Sequence, residues 1–169
     1  PTSLSATSEE QVVNQRIEGE SPPISPASPE ERSQRRQAWR ALNAQQSVCQ
    51  NCARHPHRKL INYGIGDREA RLVFVVAHPT TYSDMVGLQL ADPEEGKLFS
   101  EILQAMTLNR GEIYLTSLIK CAPGRPNFNE WASCQSYFQK ELELIRPEVI
   151  VSLGMLTSQI LHNGSFNYG

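Results

Sequence analysis

The chain has 169 residues, a formal charge of −2, a sequence pI near 6.1 and 39% hydrophobic content. That suits one domain with a real core and leaves too little length for a second. The charge balance excludes a globally basic protein built to coat a polyanion, and neither a signal-peptide pattern nor a run of about 18 apolar residues is present, so the expectation is a cytoplasmic monomer without a membrane segment.

Residues 1–27 are rich in Ser, Pro, Thr, Glu and Gln and cannot bury enough apolar surface to order themselves, so they read as a disordered leader or linker ahead of one domain at 28–169. Pro1 in place of Met and the Asn-Tyr-Gly finish read as a fragment, with the domain truncated at its C-terminus. Ser28-Pro29-Glu30-Glu31 is a capping box that starts a helix expected from Pro29 to Gln46. Its Arg32, Arg35, Arg36 and Arg40 form a solvated face or contact phosphate. The helix delivers the chain to Cys49-x-x-Cys52, followed by the basic loop Arg54-His55-Pro56-His57-Arg58-Lys59, in which Arg54, Arg58 and Lys59 are candidate nucleic-acid contacts.

Leu72 to Ala77 is a continuous apolar run, the pattern of a strand buried on both faces of a parallel sheet. The polar residues His78, Tyr82, Ser83 and Asp84 follow it. A His78–Asp84 pair could orient a water, against the blander reading of a solvated loop with Asp84 unpaired. Leu98, Phe99, Ile102, Leu103 and Met106 form an apolar helical stripe; Ile113 to Ile119 is a second strand. A helix capped at Asn127 carries Trp131, Cys134, Phe138, Leu142 and Ile145 inward and stops before Pro147. Val149 to Gly154 is the third strand, and a last helix spans about Met155 to His162. Alternating strands and helices predict a three-layer α/β/α sandwich around a central parallel sheet. Ligands of such sheets bind beyond the carboxyl ends of the strands, which here means Ala77 to Asp84, Ser117 to Cys121 and the turn after Leu153.

Cys49, Cys52, Cys121 and Cys134 are the four cysteines of the chain. Four thiolates brought together by folding suit Zn²⁺ or an iron–sulfur cluster, and spacing alone does not separate the two. A thioredoxin-like pair would need a preceding βαβ pattern, and disulfides would need an oxidising compartment.

An N-terminal CxxC, a strand running into a proline-containing loop, then "YLTSLIKCAPG", a helix carrying a fourth cysteine, and "ELELIRPEVIVSLG" together resemble the family-4 uracil-DNA glycosylases, from about Cys49 to His162. The resemblance implies their fold and a [4Fe–4S] cluster on Cys49, Cys52, Cys121 and Cys134. It also implies a DNA partner, single-stranded or with a flipped base, and hydrolysis of the N-glycosidic bond of uracil or another damaged base. The alternative is a catalytically degenerate iron–sulfur domain that binds nucleic acid or a protein.

The family's motif positions depart from its pattern. Its Gly-Glu-Ala-Pro-Gly aligns on Val76-Ala77-His78-Pro79-Thr80, so Ala77 stands where an acid is expected and Pro79 alone is retained. Its stacking phenylalanine aligns on Leu90, and its base-reading asparagine on Ser117, which lacks the paired donor and acceptor of an amide. Its closing His-Pro motif has no counterpart in the sequence.

Overall fold

A computed structural model describes residues 28–122 and 124–162; the expected leader at 1–27 lies outside the described residues. Helix α1 (Pro29–Ser47) opens as the sequence requires: Ser28 Oγ accepts from the Glu31 N–H at 3.1 Å and Glu31 Oε2 accepts from the Ser28 N–H at 2.6 Å. Strands β1 (Ile65–Gly66) and β2 (Leu72–Val76) follow, then helices α2 (Thr81–Val86) and α3 (Pro93–Ala105). Strand β3 (Tyr114–Ser117), helix α4 (Phe128–Ile145), strand β4 (Val149–Leu153) and helix α5 (Met155–His162) complete the order.

The sheet runs β1-β3-β2-β4. β2 is parallel to both β3 and β4, in register from Val73 opposite Tyr114 and from Leu72 opposite Val149. Consecutive residues of β2 face opposite layers. Val73 and Val75 join Tyr114 against Trp39, Leu42, Phe138, Leu142 and Ile145 of α1 and α4. Phe74 joins Leu115 against Phe99 and Leu103 of α3, with the Phe74 and Phe99 rings edge-on at 5.1 Å. This is an α/β fold with helices on both sheet faces, and burial of each fully enclosed Phe, Leu or Val contributes about 1.5–3 kcal/mol.

Four expectations need correction. The sheet is mixed, because β1 pairs antiparallel with β3; two residues ending in glycine give no periodicity from which a strand could be read. The third apolar run is not enclosed: among the described residues β4 pairs with β2 alone, Val149 is exposed and the rest of the strand is half-buried. In α3 only Phe99 and Leu103 are buried, while Leu98, Ile102 and Met106 lie at the surface, since a helix on one sheet face needs only a narrow stripe. Of the polar residues after β2, Tyr82, Ser83 and Asp84 lie in the short helix α2, which Thr80 caps by accepting from the Ser83 N–H at 3.1 Å.

Gly66 takes φ +111°, and a Cβ there would lie 2.0 Å from the Ile113 carbonyl oxygen across the β1–β3 pair. Gly66→Ala is expected to destabilise the protein by about 1–3 kcal/mol or more, read as a lower urea midpoint.

Candidate active-site cleft and cysteine site

β2 and β3 end side by side, Val76 opposite Ser117. Their extensions stay bonded, Leu118 N–H to Val76 O at 3.0 Å and Ile119 N–H to Ala77 O at 3.1 Å. Beyond them opens a cleft of about 490 Å³ walled by Ala77–Thr81, by Gly124 and Arg125, and by Leu153–Thr157 at the end of β4 and the start of α5. It stands where a parallel sheet offers its ligand site. His78 Nδ1 lies 2.9 Å from the Pro79 carbonyl oxygen. A carbonyl can only accept, so Nδ1 is the donor in this contact and Nε2 is left facing away from it.

Asp84 is neither unpaired nor a partner of His78. Buried in α2, its carboxylate accepts from the Lys59 N–H at 3.0 and 3.1 Å and from the Leu60 N–H at 3.4 Å. It ties α2 to the loop after the CxxC. The sequence could not show this, because the donors are main-chain groups distant along the chain.

Ser117 is fully buried; its hydroxyl donates to the Ile119 carbonyl at 2.8 Å and accepts from Gln89 Nε2 at 2.7 Å. Leu90, adjacent to Gln89, is half-buried against the α3 layer with a left-handed φ of +46°. The two positions aligned with base-contacting residues thus meet each other's neighbourhood, with Gln89 between them. Gln89 and Asn62, also fully buried beside this cluster, were not singled out in the sequence. Nothing in an isolated Asn or Gln marks it as buried.

The cysteines arrive from three elements: Cys49 and Cys52 just past α1, Cys121 past β3, and Cys134 within α4. Burial pushes the Cys121 thiol up, with Arg58 pulling the other way, and the charges of Cys52 and Cys49 add to the rise. Burial likewise raises Cys134, to about 11, and it too feels Cys121 and Cys52. Tyr137 rises to about 12 through burial and a hydrogen bond to Cys49. The four thiols therefore share one neighbourhood. As placed, no three described His, Cys, Asp or Glu side chains gather tightly enough to hold a metal ion. One tetrahedral zinc would require sulfurs about 3.8 Å apart, whereas a cuboidal cluster takes each thiolate on a separate iron. Four thiolates are a donor set that suits either an iron–sulfur cluster or a zinc ion.

Two of the three basic candidates serve this region rather than its surface. Arg54 is 5% exposed; it donates to the Cys121 and Gly124 carbonyls at 3.1 and 2.9 Å and pairs with Glu130 at 3.0 Å. Arg58, half-buried, donates to the Cys49 carbonyl at 2.8 Å, to the Ser47 carbonyl at 3.2 Å and to Cys121 Sγ at 3.5 Å. Basic side chains are read as solvent-facing by default, and here unpaired loop carbonyls draw them inward. Lys59 is exposed, as are Arg36, Arg40 and Arg125.

Behind the thiols lies a buried ion pair. Lys120 Nζ sits 2.7 Å from Glu141 Oε2, 2.6 Å from Thr116 Oγ1 and 2.9 Å from the Ser117 carbonyl. Thr116 Oγ1 donates to the same Glu141 oxygen at 2.6 Å, and Gln46 Nε2 donates to Glu141 Oε1 at 3.2 Å. One carboxylate thus joins α1, the turn after β3 and α4, the three elements that carry cysteines.

An α/β domain with a cleft beyond its parallel strands and four thiols converging beside it defines the class. The sequence profile of the uracil DNA glycosylase superfamily matches residues 63–167, and the chain belongs to that superfamily. It is 34% identical over 118 residues to a type-4 uracil-DNA glycosylase of Archaeoglobus fulgidus, a match covering 68% of this chain and 59% of that protein. A type-4 uracil-DNA glycosylase of Thermotoga maritima is 31% identical over 109 residues, 63% of this chain and 56% of the relative. A type-5 uracil-DNA glycosylase of Pyrobaculum aerophilum is 46% identical over 46 residues, 26% of this chain and 20% of the relative. The chain therefore spans less than two thirds of the length of these relatives.

Lys120→Met, which strands the Glu141 charge, is expected to cost about 3–5 kcal/mol in urea unfolding, whereas Lys120→Met with Glu141→Leu recovers most of that loss. A double variant no more stable than the single one would show that the charges do not act as a pair.

Proposed function

We propose that this protein acts in DNA repair, hydrolysing the N-glycosidic bond of uracil or another damaged base in DNA that is single-stranded or has the base flipped out. The observation that carries this reading is the coincidence of the superfamily match with an open cleft at the ends of β2 and β4. An extruded base entering such a cleft leaves its stack and trades water for fixed protein groups.

His78 and Arg125 are the titratable side chains of the cleft wall. With Nδ1 committed to Pro79, His78 presents Nε2 to accept a hydrogen bond from the water that attacks the sugar carbon. Arg125, exposed at the rim, offers a cation to the DNA phosphate. Lys59, Arg36 and Arg40 extend the supply of cations, and Arg54 and Arg58 support the loops from within. A [4Fe–4S] cluster on Cys49, Cys52, Cys121 and Cys134 would supply a rigid crosslink between the CxxC segment, the turn after β3 and α4.

A second reading is favoured by one specific observation: Ala77 brings only a methyl group to the cleft, and Ser117 is sealed beneath Gln89. On that reading the domain holds DNA without cutting the glycosidic bond. The two readings share one expectation, that this chain binds single-stranded uracil-containing DNA, and they part over excision, which the first requires and the second denies. Binding should be salt-sensitive, with a slope set by about 3–5 neutralised phosphates, and Lys59→Glu should weaken it. Formation of abasic product clearly above a buffer blank would remove the non-catalytic reading; absence of any DNA binding would remove both.

Anaerobically purified protein is expected to be brown and to contain iron, and Cys121→Ala to lose both. Colourless protein with stoichiometric zinc would replace the cluster assignment.

A further inference from the structure

Three cations reach the neighbourhood of the thiols, and two of them are matched by an acid. Arg54 is met by Glu130 at 3.0 Å and Lys120 by Glu141 at 2.7 Å. Arg58 is the exception. Its half-buried guanidinium donates to the Cys49 and Ser47 carbonyls at 2.8 and 3.2 Å and to Cys121 Sγ at 3.5 Å, and among the described residues no carboxylate pairs with it. A cation drawn partly out of water onto neutral carbonyls keeps its full charge, so the charge balance here is incomplete without an anion beside Arg58.

The sulfurs are the groups placed to supply that charge. All four cysteines are free of disulfides, and three of their sulfurs face a donor from the chain: Cys121 faces Arg58, Cys49 the Tyr137 hydroxyl, and Cys134 the Lys120 backbone N–H. We infer that Arg58 is the counter-cation of the four-thiolate centre and that, with Tyr137 on Cys49, it sets the reduction potential of the cluster bound there. This rests on the proposed assignment of an iron–sulfur cluster to the four cysteines. Four thiolates on a doubly positive iron–sulfur core leave two net negative charges, and an added electron makes the sum more negative still. A fixed cation beside one sulfur and a hydrogen bond to another both favour the more reduced state.

The anchoring of Arg58 suits it to this task. Its two carbonyl partners belong to the end of α1 and the start of the CxxC, while the sulfur it reaches belongs to the turn after β3. The planar fork is therefore held from one side and presents its charge to the other, where a lysine on its flexible stem would be free to turn toward water. Arg54 and Lys120 are nearer to neutral as units, since each sits against its own carboxylate. The uncompensated field at the sulfurs thus comes chiefly from Arg58, with the uncharged Tyr137 hydroxyl contributing a smaller, short-range part.

The test uses the whole chain, purified anaerobically with its iron, and follows the one-electron reduction of the cluster at an electrode, in which the core gains an electron and no ligand leaves. Arg58→Gln keeps a donor and removes the charge; it is expected to lower the midpoint potential by at least a tenfold shift in the ratio of oxidised to reduced cluster, about 59 mV for one electron. Tyr137→Phe is expected to move that ratio in the same direction by about threefold with its iron content unchanged, and Arg58→Lys, which keeps the charge, to stay closer to the natural chain than Arg58→Gln does. The inference falls if Arg58→Gln holds its iron at an unchanged potential. Should Arg58→Gln release its iron, Arg58→Lys decides: iron retained with lysine supports the role of the charge, whereas iron lost from both assigns Arg58 to its carbonyls alone and overturns the inference. A natural chain that is colourless and holds zinc would instead overturn the cluster assignment, and this inference with it.

Discussion

The structure turns on the buried pair between Lys120 and Glu141. Isolated charges in a protein interior are costly, and this pair is tolerable because each lone pair and proton is directed: Lys120 reaches Glu141, Thr116 and the Ser117 carbonyl, while Glu141 also accepts from Gln46. Its partners lie on α1, on β3 and its following turn, and on α4. Whatever the net contribution to stability, the geometry it demands is specific, because a small shift of any one element would strand a charge. The same three elements deliver Cys49 and Cys52, Cys121, and Cys134. The pair thus ties together the three parts of the fold that carry the thiols.

Arg54 and Arg58 do a related job from the front. The turns that present cysteines leave carbonyls without intrahelical or ladder partners, and buried carbonyls must be met. Arg54 meets those of Cys121 and Gly124 and reaches Glu130, which also accepts from the Asn127 N–H at the start of α4. Arg58 meets those of Ser47 and Cys49 and approaches the Cys121 sulfur. Guanidinium groups suit this role because one planar fork can serve several carbonyls while keeping its charge. A cation held beside sulfur also offsets the negative charge that four thiolates would bring together.

The cleft and the buried contact between Ser117 and Gln89 both lie at the ends of β2 and β3. Ala77 lines the cleft, while Ser117, beside it across the β2–β3 ladder, points into the layer covered by Gln89. Gln89 and Asn62 occupy the polar space around it.

Much of this protein was legible along the chain. The capping boxes at Ser28 and Asn127 set the starts of α1 and α4, since a cap is a local contact between residues three apart. The run Leu72 to Val76 identified the central strand, because burial on both faces leaves no polar alternation. The motifs around Cys121 and β4 were specific enough to point to the superfamily to which the chain belongs. Tertiary structure alone decided the rest. Leu98 and Ile102 are as apolar as Phe99 but face outward, β4 is as apolar as β2 but among the described residues lies at an edge, and Arg54 is as basic as Lys59 but lies inside. In each case the deciding partner is remote in sequence, and side-chain chemistry by itself does not say which of two equivalent residues will meet it.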